Sequence, residues 1–173
     1  MDNSLSEIKT NIPVVSAIIE REHNGEEQVL IQIRWKPEHD PIYSGTLEIP
    51  AGWIEQYENV YDALKREVQE ETGLKIFKIK PDVKSKVYGP KQDGSFAFVP
   101  FCCQQQIKGG KPWIGFVFIC EVEDAEPIPQ VEEVKDIRWI SKAELKEILQ
   151  KTPEKIFTLQ LGVLDYYLNF NHL

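Results

Sequence analysis

The chain has 173 residues, 42% of them hydrophobic and 28% charged, which fits one globular domain with its own core better than two. A net charge of −8 excludes a general nucleic-acid binder, whose phosphate backbone demands clustered Lys and Arg, and no apolar run reaches the length of a membrane span. Three cysteines, with Cys102 and Cys103 adjacent, make neither a disulfide framework nor a zinc spacing, so a reducing cytoplasm is the expected setting.

Residues 1–11 are polar, lack a basic-then-apolar signal layout and read as a loose lead-in. The β-branched run Ile12 to Glu20 predicts a buried strand, and Asn24-Gly25 a turn into a partner strand from Val29 to Trp35. Lys36 to Ser44 is a proline-broken loop, and Thr46 to Pro50 is a short strand feeding a loop at Gly52. Beyond a helix described below, short strands are expected at Lys75 to Lys80 and Ser85 to Tyr88. Two long ones follow at Ser95 to Gln106 and Trp113 to Glu123, the first interrupted by Pro100. Lys135 to Ile140 predicts a further strand. Ser141-Lys142-Ala143-Glu144 is a capping box for a helix to about Lys151, and Thr152-Pro153 opens a last helix. Strands before, between and after the helices give an α+β or mixed α/β fold, a sheet with helices on both faces. The whole of 1–173 reads as a single domain.

The chemistry concentrates between Gly52 and Leu74. Asn59 is an N-cap and Gly73 stands where a helix ends in a left-handed residue. On the helix between them, Glu67, Glu70 and Glu71 fall within an arc of roughly 100°. An acidic pair alone marks a solvated helix face. Three carboxylates on one side, with an arginine beside them, suit a hard divalent cation such as Mg²⁺ or Mn²⁺ in an all-oxygen shell.

Gly52-x5-Glu58-x7-Arg66-Glu67-Val68-x-Glu70-Glu71-x-Gly73-Leu74 resembles the Nudix box, GX5EX7REUXEEXGU with U aliphatic, at all nine specified positions. The resemblance implies an α/β/α sandwich with a mixed central sheet and a Mg²⁺- or Mn²⁺-dependent pyrophosphohydrolase that uses more than one ion. By the same resemblance Glu67, Glu70 and Glu71 are metal ligands, joined by the backbone carbonyl of Ala51. Gly52, Glu58, Arg66 and Gly73 orient or build the box; Glu58 is either a weak ligand or a structural partner of the loop. The catalytic set is Glu70, Glu71 and Glu133, with Glu133 the candidate general base in the loop entering the last strand and Glu132 and Glu126 its competitors. A homodimer is compatible with the resemblance, while nucleic-acid and membrane partners are not expected.

For the substrate, Gln32-Ile33-Arg34 and Leu47-Glu48-Ile49-Pro50-Ala51-Gly52 resemble stretches of the ADP-ribose and nucleotide-sugar pyrophosphatases, and Pro90 stands near a proline of those enzymes. Ile33 departs from their aromatic residue. A small nucleotide is the expected partner, with Arg34, Trp35 and Pro90 as candidate contacts. Tyr43 and Trp113 are further rings for stacking on a base, and Lys36 and Lys111 further cations for a phosphate. The alternative activity is a (d)NTP pyrophosphohydrolase of the nucleotide-sanitising type. The alternative of another class is a non-catalytic nucleotide sensor.

Overall fold

Asn24 and Gly25 both take positive φ, 53° and 79°, the geometry of a two-residue hairpin turn. The turn folds β1 (Ile12–His23) back onto β2 (Glu26–Arg34) as an antiparallel pair. This is a computed structural model, and it describes residues 10–89, 91–110, 112–129 and 131–169. Most of the expected N-terminal lead-in, together with Pro90 and Lys111, lies outside the described residues.

β1 is the middle of the sheet because both its faces are apolar. Val15, Ala17 and Ile19 enter one core with Val60, Leu64 and Val68, whereas Ile18 enters a second core with Leu145, Val163 and Leu164. It pairs in parallel with β9 (Trp113–Val122), and among the described residues the other strand ladders of this sheet are antiparallel. The other edge of β1 is shared: Glu20 to His23 pair with β2, while Val14 to Ser16 pair with β4 (Ala51–Trp53). β2 likewise turns from β1 to β3 (Leu47–Glu48). β1 and β2 therefore splay apart, and the segment from Leu47 to Trp53 fills the wedge between them.

β9 divides its outer edge in the same way, between β5 (Ile76–Lys80) and β8 (Cys102–Gln105). β10 (Val134–Ser141) covers β2, and a separate ribbon joins β6 (Val83–Lys84) to β7 (Phe98–Val99). α1 (Val60–Thr72) lies on one face, and α2 (Lys142–Lys151) and α3 (Leu161–Asn169) on the other. The expected α/β/α sandwich with a mixed sheet is present. Among the described residues no helix is long and apolar enough to cross a membrane.

Two local expectations are corrected, and the interruption expected at Pro100 is present. The strand predicted at Ser85 to Tyr88 is reduced to one bridge, Tyr88 to Ser95; the paired residues are instead Val83 and Lys84. Pro100 divides the long stretch from Ser95 into β7 and β8, as a residue without an N–H must. The last helix starts at Leu161 rather than at Pro153. After one 3₁₀ turn the chain straightens at Ile156, which bridges Leu47 of β3, and at Phe157, which donates to the Leu47 carbonyl at 2.8 Å.

Candidate active site

α1 begins where the Asn59 side chain accepts from the Tyr61 N–H at 2.9 Å, and ends at Gly73, whose φ is 73°. Its buried stripe of Leu64, Val68 and Glu71 follows helical spacing, so Glu71 falls on the face that packs on the sheet. The three motif glutamates are graded by exposure. Glu71 is 7% exposed, the Glu67 side chain 14% and that of Glu70 49%.

Glu71 reaches into the wedge. Its Oε2 accepts from Gln32 Nε2 on β2 at 2.8 Å and from the Ala51 N–H on β4 at 3.1 Å. Burial, followed by the charge of nearby Glu48, pushes its carboxyl up to about 8. Glu48 is itself buried and raised, by burial against the pull of Arg34. Burial also raises Glu67.

Gly52 explains itself by contact: a Cβ built on it would lie 1.9 Å from Cδ of Glu67, so any side chain would displace that carboxylate. Arg66 lies at the centre of a hydrogen-bond network. It holds both oxygens of Glu58 at 2.9 Å, Glu67 at 2.7 Å, Glu70 at 3.3 Å and the Trp53 carbonyl at 2.9 Å. Glu58 also accepts from the Glu55 N–H, and Arg66 holds its carboxyl below the usual range. These contacts tie Glu58 to the loop ahead of α1.

Among the described residues no three His, Cys, Asp or Glu side chains stand as a ready-made ligand set. The donor chemistry nonetheless fits a divalent cation. Three carboxyls, Glu48, Glu67 and Glu71, are raised by burial at one place, and Gln32 Oε1 is buried there with no hydrogen-bond partner. A cation beside them would offset the cost of burying those charges. Glu67, Glu70 and Glu71 lie on one side of one helix.

The wedge opens into a cleft of ≈ 1790 Å³ on the α3 face of the sheet. Arg34, Tyr43, Glu133 and Phe157 line it on the β2 side, and Gln104 and Trp113 on the β8–β9 side. Glu133 is at its rim, with a half-exposed side chain ion-paired to Lys36. Arg34 borders the cleft but is engaged by Asp40 at 2.8 Å and Glu48 at 3.2 Å, over the Phe157 ring. Trp35 lies in an adjoining depression with Lys135 above its ring, and is not part of the cleft wall. In the sequence reading Gln32 and Glu48 enter only through the stretches that resemble ADP-ribose and nucleotide-sugar pyrophosphatases, with no site role of their own. The available signal was a polar residue inside each of two apolar strands.

The family model of the NUDIX domain matches residues 10–160. The chain belongs to the NUDIX family. With every box position filled, it is a Nudix-type hydrolase of phosphoric anhydrides, a class that generally works with divalent metal ions. Solved Nudix structures share the fold. The NUDIX domain of Shewanella oneidensis NrtR, complexed with ADP ribose, is 16% identical over 92% of this chain and 88% of that one, with a TM-score of 0.64. A NUDIX-family hydrolase from Clostridium perfringens is 20% identical over 92% and 97%, with a TM-score of 0.61. A C. elegans Ap4A hydrolase in a binary complex is 16% identical over 91% and 97%, with a TM-score of 0.59. No curated protein matches by sequence. At these identities the likeness extends to the fold and stops short of the substrate.

Proposed function

We propose that this Nudix hydrolase cleaves the pyrophosphate bond of a nucleoside diphosphate joined to a second group, ADP-ribose or a nucleotide sugar, and releases two monophosphates. The observation that carries this reading is the position of the carboxylates. They stand in the wedge, with cleft walls continuing on both sides, toward Arg34 and Phe157 in one direction and toward Trp113 and Gln104 in the other. A diphosphate with a bulky group at each end fits such a two-sided cleft better than a chain-terminal triphosphate does.

Glu67, Glu70, Glu71 and the Ala51 carbonyl would hold Mg²⁺ or Mn²⁺, more than one ion. Bound there, the ions supply neutralisation of the phosphate oxygens and a water of lowered pKa. Arg66 fixes the rotamers of Glu58 and Glu67 so that the ligand oxygens meet the cleft already oriented. Gln32 and the Ala51 N–H hold one oxygen of Glu71 and leave the other, Oε1, to face the ligand. Glu133 at the rim accepts the proton of the attacking water as the phosphorus–oxygen bond to the leaving phosphate breaks.

The test is a screen with Mg²⁺ over ADP-ribose, sugar nucleotides, dinucleoside polyphosphates and normal and oxidised (d)NTPs, with Glu70→Gln as control. Turnover concentrated on ADP-ribose or a sugar nucleotide supports the proposal. Pyrophosphate release from triphosphates replaces it with the nucleotide-sanitising activity, and no metal-dependent turnover on any of them leaves a nucleotide sensor.

A further inference from the structure

Beneath the far wall of the cleft stands a glycine, the third residue of a ten-residue strand. Gly115 belongs to β9, where a residue without a side chain loses packing and costs backbone entropy. It is buried, and the reason is contact: a Cβ built on it would lie 2.7 Å from Trp113 Cζ3 and 3.0 Å from Gln104 Cγ. The indole of Trp113 therefore bends along its own strand and sits over Gly115, with the Gln104 side chain against it. Trp113 is only half-buried, so part of the ring remains open to the cleft.

The polar group beside the ring differs from its neighbours. Gln106 is committed to the β8–β9 turn, donating to the carbonyls of Gly109 at 2.7 Å and Lys108 at 3.1 Å. The carboxamide of Gln104 makes one weak contact among the described residues, from Nε2 to Ser16 Oγ at 3.5 Å. It keeps a donor and an acceptor for a further partner. Gly162 of α3 also lines the cleft, and a Cβ there would meet nothing within 4 Å.

The register sets the span. Trp53, Val14, Gly115 and Gln104 form one row across β4, β1, β9 and β8. Gly115 thus lies two strands, about 10 Å, from the strand of Ala51 and Gly52. A ribose bridges such a gap between a phosphate at the carboxylates and a base beyond it.

We propose that Trp113, seated over Gly115 and edged by Gln104, is the stacking platform for the nucleobase and the specificity-determining end of the cleft. This deepens the nucleotide reading above and rests on it. Calorimetric titration in Mg²⁺ buffer with AMP, and with ribose 5-phosphate, which lacks the base, measures the base's share directly. The wild type is expected to bind AMP about tenfold more tightly or better. Trp113→Leu and Gly115→Ala are expected to lose most of that ratio with ribose 5-phosphate binding unchanged, and Trp113→Phe to keep it. Gly115→Ala adds only a methyl group, so it carries the test should Trp113→Leu fail to fold. A wild type with no base preference overturns the subsite together with the nucleotide reading. A preference retained in both variants overturns the subsite alone.

Discussion

Gln32 and Glu71 stand 39 residues apart and meet in the wedge of the sheet, where Gln32 Nε2 donates to Glu71 Oε2 at 2.8 Å. Both are buried, so the bond persists without competition from solvent. It fixes which way the Glu71 carboxyl faces. Gln32→Leu keeps the volume close and removes the donor. Partners that orient ligands are worth about 10–100-fold in metal affinity. Mn²⁺ titration followed by EPR is expected to show weakening in that range, with the melting temperature of the metal-free protein much less affected. Unchanged Mn²⁺ affinity would mean that the Ala51 N–H alone sets the carboxyl.

Glu133 shares the cleft with Glu67 and Glu71 and is held at the rim by Lys36. Glu133→Gln is expected to lower kcat by about 10²-fold or more, the usual worth of a positioned base, with Mn²⁺ affinity retained. A near-wild-type rate would move the proton-accepting role to Glu70, Glu71 or another loop carboxylate.

Stability in acid is expected to follow Glu20, far from the site. Burial raises this carboxyl, but hydrogen bonds from Lys80 at 3.0 Å and the Tyr167 hydroxyl at 2.9 Å, with the charges of Lys80 and Lys142, leave it below its ordinary value of 4.5. A carboxyl lowered in the folded state stabilises the fold above its unfolded pKa and loses that contribution as pH falls through the folded one. Thermal melts should therefore show a decline in Tm that begins below about pH 4.5. Glu20→Gln should cost about 1 kcal/mol at neutral pH, since Lys80 is partly exposed, and should flatten the acid decline. An identical pH slope in the variant would assign the decline to other carboxylates.

Much of the box was legible because it is local. Asn59 and Gly73 bound the helix through contacts with residues two to four positions away, and the side shared by Glu67, Glu70 and Glu71 follows from helical arithmetic. The contacts of Arg66 with Glu67 and Glu70, one and four positions on, are equally short-range. What could not be read depends on register between distant strands. Gln32 and Glu48 become partners of the site only because β2 leaves β1 for β3, and Gln104 meets Gly115 and Trp113 only through the pairing of β8 with β9. The last helix was misplaced for a related reason. Pro153 is a good helix start, but the pairing of Ile156 and Phe157 with Leu47 interrupts the helix before it can form.

Gly52 offers the sharpest separation of fold from function. Its backbone needs no left-handed φ, so an alanine there meets no torsional penalty; the conflict is with the carboxyl of Glu67, 1.9 to 2.1 Å from the new Cβ. That carboxyl ends a flexible side chain that can swing away at modest cost, about 1 kcal/mol or less. The displacement also breaks its bond to Arg66 and takes a ligand oxygen out of the wedge. Gly52→Ala is therefore expected to stay folded, with Tm within a few degrees of wild type, while kcat/KM falls by about 10²-fold or more and Mn²⁺ binding weakens in parallel. A variant with normal Mn²⁺ affinity and rate would show that Glu67 has a second productive rotamer and that the close approach to Gly52 serves packing alone.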